Sequence, residues 1–216
     1  VPELAGSCIR VDQPKMTVRA LADSKFLTAK RSRLEEPHIA PLTDLARRIQ
    51  AAHAGVPFFD PDNGGANASV LCLLEAPGPK AMDFVSQENN DQTAENMHRL
   101  MVAAGLARRH VVLWNVVPFY IGAADRSKLR AARQSDLDAG RPWLIKLFAL
   151  LTQLKVVVLL GRKAQRARVL VKALRPDVCT LEGWHPSPQA MNREPVRWEQ
   201  LLDVLHTAEI ERATRA

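Results

Sequence analysis

The sequence has few cysteines, and they lack the spacing of a metal site. The three cysteines, Cys8, Cys72 and Cys179, include no C-x-x-C pair, which argues against a zinc or iron–sulfur centre built from cysteines alone. An odd cysteine count is typical of a reducing compartment. Cys72 lies inside an apolar run and Cys179 lies close to one, so both are predicted to be small buried hydrophobic residues.

Long apolar stretches and an acidic charge balance are also missing. No apolar run approaches the length of a membrane span, and residues 1–8 lack the charged-then-apolar pattern of a signal peptide. We therefore expect a cytoplasmic protein with no membrane partner. Lysine and arginine total 30 against 23 aspartate and glutamate, a net charge of +7. This excess favours a polyanionic partner, most often nucleic acid; the alternative is that it serves only solubility.

One apolar run stands out in a chain that is otherwise ordinary in composition. Residues Val70–Leu74 are all apolar, and Glu75 follows them directly. A Pro-Gly-Pro sequence at 77–79 then forces a turn. Such a run is typical of a strand buried on both faces. Glu75 is thereby predicted at the carboxyl end of a central strand, the edge where open parallel sheets bind ligands.

The rest of the chain alternates short apolar runs with helical patterns. Strands are predicted at 70–74, 110–114, 156–160 and 178–181. Helices are predicted at 41–54, from an N-cap at Thr93, from an N-cap at Asp136, at 161–174, and from an N-cap at Asn192. This order predicts a three-layer α/β sandwich with a central, mostly parallel four-stranded sheet flanked by helices. Residues 1–40 are predicted to be a basic N-terminal extension to a single domain at 41–216.

Four residues of interest fall at the ends of the predicted strands: Glu75, Asn115, Gly161 and His185. Since parallel strands end at the same edge of a sheet, these residues are expected to lie near one another. The simpler alternatives are a solvated glutamate beside a turn, an asparagine in a strand-end turn and a histidine satisfied inside the core.

The motifs around these residues resemble the uracil-DNA glycosylase superfamily. Glu-Ala-Pro-Gly at 75–78 is similar to its first motif, Leu-Trp-Asn-Val-Val-Pro at 113–118 to the segment that reads uracil, and His-Pro-Ser-Pro at 185–188 to its second motif. Val-Leu-Leu-Gly at 158–161 is similar to its third strand and turn. The resemblance spans roughly residues 68–205. It implies a monomeric enzyme, without metal or cofactor, that hydrolyses the N-glycosidic bond of deoxyuridine in single- or double-stranded DNA and leaves an abasic site as the product.

The residue types suit that chemistry. Cleavage of the bond between base and sugar builds positive charge on the sugar and negative charge on the base. Glu75 can orient or deprotonate the attacking water, and His185, as a neutral or a charged ring, can donate a hydrogen bond to uracil O2. Asn115 can pair with N3–H and O4, a pattern that cytosine reverses. The turn residues Ala76, Pro77 and Gly78 are expected beside the substrate, with Phe84, or else Phe119, stacked on the flipped base.

The contacts to DNA are expected on the second motif and on two basic runs. Gln189 or Met191 is expected to fill the gap left by the base, and Arg193 to fill it or to hold a phosphate. Ser187 and Pro188 are expected against the backbone. Arg162 and Lys163 open a helix, whose first amides also favour phosphate. The other basic run contains Arg126, Lys128, Arg130 and Arg133.

The resemblance is incomplete in ways that matter for specificity. Leu74 stands where the thermophilic branch has glycine, and the cysteines of that branch's iron–sulfur cluster are absent. A cluster-free branch is therefore implied, with the loop at 116–125 as the candidate brace. Another branch excludes thymine with a tyrosine near the first motif, whereas the single tyrosine here is Tyr120. Three alternatives stay open: a non-catalytic binder of damaged or abasic DNA, a nucleoside hydrolase or transferase, and a generic fold whose strand-end residues have no function.

Overall fold

A computed structural model describes residues 18–215. Its centre is a parallel sheet of four strands in the order β4-β2-β5-β6, formed by β2 (Val70–Leu74), β4 (Val111–Asn115), β5 (Val156–Leu160) and β6 (Cys179–Gly183). Every residue of β4 and β5 is buried, as expected of strands covered on both faces. The predicted fold class is confirmed.

Helices cover both faces of this sheet. They are α1 (Ser24–Arg31), α2 (Ala40–Ala52), α3 (Gln92–Ala103), α4 (Gln134–Leu150), α5 (Arg162–Gln165), α6 (Arg168–Leu174), α7 (Pro188–Met191) and α8 (Val196–Thr214). Along the sheet, the connection from β2 to β4, which contains α3, runs in one direction, and the connection from β4 to β5, which contains α4, runs in the other. Because such connections are right-handed, α3 and α4 lie on opposite faces of the sheet. α8 packs against α3, β5 and β6, while α2 packs against α4.

β1 (Phe58–Phe59) and β3 (Phe84–Val85) form a small parallel pair beside the main sheet. Within residues 18–215, no helix is both long and apolar enough to cross a membrane.

Several predicted helix starts are wrong. α3 is capped by Asp91, whose side chain accepts from the Ala94 N–H at 2.9 Å, and Thr93 lies inside the helix. α4 begins after Arg133, and Asp136 in its first turn accepts from the Arg133 N–H at 2.7 Å. The capping side chain of α3 therefore lies two residues before the predicted one. In α4, the predicted cap, Asp136, lies inside the first turn and bonds back to the residue before the helix.

Two predictions for the C-terminal half are also wrong. Asn192 ends α7 and does not cap α8, which begins at Val196 after Pro195. The continuous helix predicted at 161–174 is two short helices, α5 and α6. Cys72 is fully buried as predicted, and burial raises its thiol pKa to about 12. Cys179 is only half-buried, because it begins the edge strand.

The described part of the predicted N-terminal extension is joined to the domain by a buried ion cluster. Lys30 of α1 is 5% exposed, and its ammonium lies 2.6 Å from Asp60, 2.7 Å from Asp62 and 2.5 Å from Glu88. Burial opposes the charge of Lys30, but the carboxylates outweigh it and hold its pKa above the ordinary value. α1 therefore packs as part of the domain; residues 1–17 lie outside the described range.

Candidate functional site

The carboxyl edge of the sheet brings the predicted strand-end residues into one row. Asn115 ends β4 in register with Leu74, and Glu75 follows directly on β2. Gly161 follows β5, and His185 lies two residues beyond β6. Adjacent strands lie about 4.8 Å apart, so the order of the strands places Asn115 beside Glu75 and leads through Gly161 to His185.

Glu75 is half-buried and held by its main chain and by one carboxylate oxygen. Its carbonyl accepts from the Val117 N–H at 3.0 Å, and Oε1 accepts from the Ala132 N–H at 2.6 Å. Among the described residues, none donates a hydrogen bond to Oε2. One oxygen is thereby fixed, and the other is free to hold a water.

Ala132 belongs to the segment 116–133 that links β4 to α4. The sequence suggested the loop at 116–125 as a brace, and the structure shows contacts to Glu75 from Val117 and Ala132. The Ala132 carbonyl accepts a hydrogen bond from Lys163 Nζ. Arg130 closes the segment onto α4 through two hydrogen bonds to Asp136, at 2.6 and 2.8 Å. The sequence alone gave no sign of this role for Ala132, because it involves only backbone atoms.

His185 is held as a neutral donor. The Ser187 N–H donates to His185 Nδ1 at 3.2 Å, so Nδ1 carries no proton. Burial lowers the pKa of this histidine to about 4. At neutral pH the single ring proton is therefore on Nε2, which answers the question that the sequence left open.

Two neighbours, Asn96 and Gly161, fix residues 185–188, which we call the histidine segment. The sequence analysis did not identify Asn96. Asn96 of α3 is 6% exposed, and its Nδ2 donates to the Pro186 carbonyl at 2.8 Å. Gln92 Nε2 donates to Asn96 Oδ1 at 3.0 Å, which orients the amide. A buried asparagine beside the apolar stripe of α3 is the signal that the sequence offered. On the other side, a Cβ at Gly161 would lie 2.9 Å from the Cβ of His185.

Asn115 is buried, with 4% exposure, and has no hydrogen bond from its side chain to any residue in the range 18–215. Its amide is therefore free to bind a ligand. The turn after Glu75 leaves room next to it: Pro77 is buried, Ala76 and Gly78 are half-buried, and a Cβ at Gly78 would meet nothing within 4 Å. Gly78 does not use a positive φ, so the turn depends on its small size and on the prolines.

The first candidate for stacking on the base is buried. Phe84 is 0% exposed within β3, with its ring centroid 6.4 Å from that of Phe58. Its stacking on a flipped base stays a prediction, and the ring has no exposed surface in this structure. The second candidate, Phe119, is half-buried and stacks on His53 with 4.3 Å between ring centroids.

The predicted DNA contacts divide into exposed and engaged residues. Gln189 and Arg193 are exposed, and Ser187 and Pro188 are half-buried. Met191 is 6% exposed and packs in the core, so its predicted insertion into DNA is wrong. In the other basic runs, Arg162 is exposed and pairs with no described residue. By contrast, Lys163 donates to Ala132, Arg130 pairs with Asp136, and Arg126 lies over the ring of Tyr120.

A large cavity lies at the opposite, amino edge of the sheet. It has a volume of about 990 Å³ and includes Lys30, Asp62, Glu88 and Arg108 in its wall. The carboxylates of Asp60, Asp62 and Glu88 are close enough together to hold a cation, but the Lys30 ammonium already contacts all three. We assign this cluster a structural role.

Comparison with known proteins identifies the family of this chain. Residues 46–206 match the Uracil DNA glycosylase superfamily, and the chain belongs to that superfamily. A search of curated proteins finds no match.

Solved structures of similar fold include three glycosylases. A wild-type SMUG2 from Pedobacter heparinus is 12% identical with a TM-score of 0.49, covering 82% of this chain and 85% of its own. A wild-type UNG from Nitratifractor salsuginis is 15% identical, with a TM-score of 0.43 and coverage of 88% and 98%. A putative uracil DNA glycosylase from Methanosarcina acetivorans is 17% identical, with a TM-score of 0.43 and coverage of 67% and 92%.

Proposed function

We propose that this protein is a cofactor-independent DNA glycosylase that removes uracil from DNA by hydrolysis. The observation that carries the proposal is the row at the carboxyl edge: a carboxylate with one oxygen free, an unpaired buried amide and a neutral histidine. Membership of the superfamily supports the same reaction class.

The chemistry assigns a step to each side chain. Glu75 Oε2 holds a water and takes its proton as the water oxygen bonds to the sugar C1′. The bond from C1′ to the base breaks, and its electron pair leaves with the uracil. The Nε2–H of His185 donates to O2 as negative charge develops there, which is worth roughly 100-fold or more in rate. Asn115 pairs with N3–H and O4 of the base.

The surface next to this row supports DNA as the partner. Arg162, Gln189 and Arg193 are exposed around it. A groove of about 780 Å³ adjoins the histidine segment between α3 and α8, and its wall includes Pro188, Arg99 and Trp198. Cationic and aromatic side chains of this kind bind phosphates and bases. The enzyme acts on the strand as a monomer and leaves an abasic site.

An oligonucleotide containing one uracil tests the proposal. Wild-type protein is expected to release free uracil and leave an alkali-labile site, beside thymine and hypoxanthine controls. The variants Glu75→Ala and His185→Ala are each expected to lower the single-turnover rate by about 100-fold or more with DNA affinity retained. Glu35→Ala, at an exposed glutamate of the surface, is the matched control. Tight binding to uracil or abasic DNA without base release would instead identify a non-catalytic binder.

A further inference from the structure

The carboxylate of Glu75 is fixed by a residue that is itself held from a different strand. Ala132 is 2% exposed and uses both of its backbone groups. Its N–H donates to Glu75 Oε1 at 2.6 Å, and its carbonyl accepts from Lys163 Nζ. A continuous chain of hydrogen bonds therefore runs from α5, after β5, to the carboxylate at the end of β2.

The rest of the segment is held from the α4 side. Arg130 and the Arg133 N–H both bond to the Asp136 carboxylate, at 2.6 to 2.8 Å. These contacts fix where α4 begins. Lys163, in α5 after β5, instead holds Ala132 through the hydrogen bond to its carbonyl. If Lys163 lost its ammonium, the buried carbonyl would lose its charged donor. Since an unpaired buried carbonyl is unfavourable, the segment would move toward water and carry the Ala132 N–H with it.

We propose that Lys163 is a positioning residue for the reaction: it holds Ala132, and Ala132 fixes the orientation of the Glu75 carboxylate. The expected effect on the excision rate rests on the proposed function. The structural claim that Lys163 holds Ala132 does not depend on it. It also differs from the expectation that Lys163 binds a phosphate. A phosphate contact would contribute to DNA affinity and to its salt dependence, whereas a positioning contact affects the rate of the bound complex.

Three variants separate these roles. Lys163→Met removes the ammonium, Lys163→Arg keeps a cationic donor, and Lys172→Met removes the charge of an exposed lysine on α6 as the matched control. For each variant, the experiment measures the single-turnover rate at saturating protein, the Kd for uracil DNA over a range of salt concentrations, and hydrogen exchange of the Ala132 amide. Thermal melting checks that each variant folds.

We expect Lys163→Met to lower the saturating rate roughly 10- to 100-fold, since small misplacements of a catalytic group cost this much. The Kd and its salt slope should stay unchanged, the Ala132 amide should exchange faster, and Lys163→Arg should recover most of the rate. The Lys172→Met control should match wild type in all three measurements.

Two results would overturn the inference. One is a rate and an Ala132 exchange in Lys163→Met that equal those of wild type. The other is a weaker Kd with a salt slope lower by about one, the signature of a lost phosphate contact. If wild type itself releases no uracil, the proposed function fails, while the exchange measurement still decides whether Lys163 holds Ala132. If Lys163→Met does not fold, the rate and exchange of Lys163→Arg decide: both must stay near wild type.

Discussion

Gly161 has an unusual backbone conformation and lies in close contact with His185. Its φ of 88° and ψ of 159° lie in a region that glycine alone adopts readily. A side chain there would also press on His185, whose Cβ would lie 2.9 Å from the new Cβ. The close approach of these two residues therefore requires glycine for two independent reasons.

Gly161→Ala is expected to lower both stability and activity. The backbone strain should cost about 1–3 kcal/mol of unfolding free energy, and displacement of His185 should lower the single-turnover rate. Urea unfolding and the excision assay measure the two effects. Gly105→Ala is the matched control, since Gly105 has a φ of 70° but nothing within 4 Å of its added Cβ. It should lose stability without losing rate; an unchanged rate in Gly161→Ala as well would contradict the argument.

The ionisation of His185 is a second prediction at this scale. Burial lowers its pKa to about 4 from the ordinary histidine value of 6.5, so the ring stays neutral as the pH falls through the usual range of histidine. In the unfolded chain it takes a proton near pH 6.5, so its contribution to stability is full above that pH and is lost as the pH falls toward 4. An NMR titration of the His185 ring proton should show a midpoint near pH 4. A midpoint near 6.5 would show that the ring is not desolvated.

At the scale of elements, α1 is tied to the domain by one buried lysine. Three carboxylates, on Asp60, Asp62 and Glu88, face the Lys30 ammonium. Arg108 adds a guanidinium 2.6 Å from Asp60 and 3.0 Å from Glu88. Because these groups are mutually dependent, the loss of one cation leaves buried negative charge without compensation.

Lys30→Met is therefore expected to destabilise the protein by about 3–5 kcal/mol, measured by urea unfolding. Lys25→Met, at an exposed lysine of the same helix, should change stability by less than about 0.5 kcal/mol. Burial alone would raise the pKa of Asp62, but Lys30 lowers it below 3.8. The wild-type protein should accordingly lose this contribution as the pH falls below that value, and the variant should lose less. Equal unfolding midpoints in the two variants would contradict the assigned role of the cluster.

The strands of the main sheet were easier to predict from the sequence than the starts of the helices. β2, β4 and β5 followed from short apolar runs, the pattern of strands buried on both faces, whereas the two-residue strands β1 and β3 were not predicted. The helix starts were less accessible: Asp91 and Thr93 are both good caps, and only the tertiary placement of α3 decides between them. The burial of Phe84 and Met191 was not predictable either, because it depends on how β3 and α7 pack against the rest of the domain.

For the whole molecule, the basic charge should appear as a salt-dependent affinity for DNA. Arg162 is exposed at the carboxyl edge of the sheet and has no partner among residues 18–215. Arg162→Ala should weaken binding at low salt and lower the slope of log Kd against log salt by about one. Fluorescence anisotropy over a range of KCl concentrations measures this. An unchanged slope would remove Arg162 from the interface.

The contact that fixes Glu75 has a consequence for how such proteins vary. It is made by an amide nitrogen, which every amino acid except proline possesses, so the identity of the residue at 132 does not reveal it. What the contact requires is the right number of residues between β4 and α4. A single insertion or deletion in that connection should therefore displace the Glu75 carboxylate more than most single replacements of side chains along it.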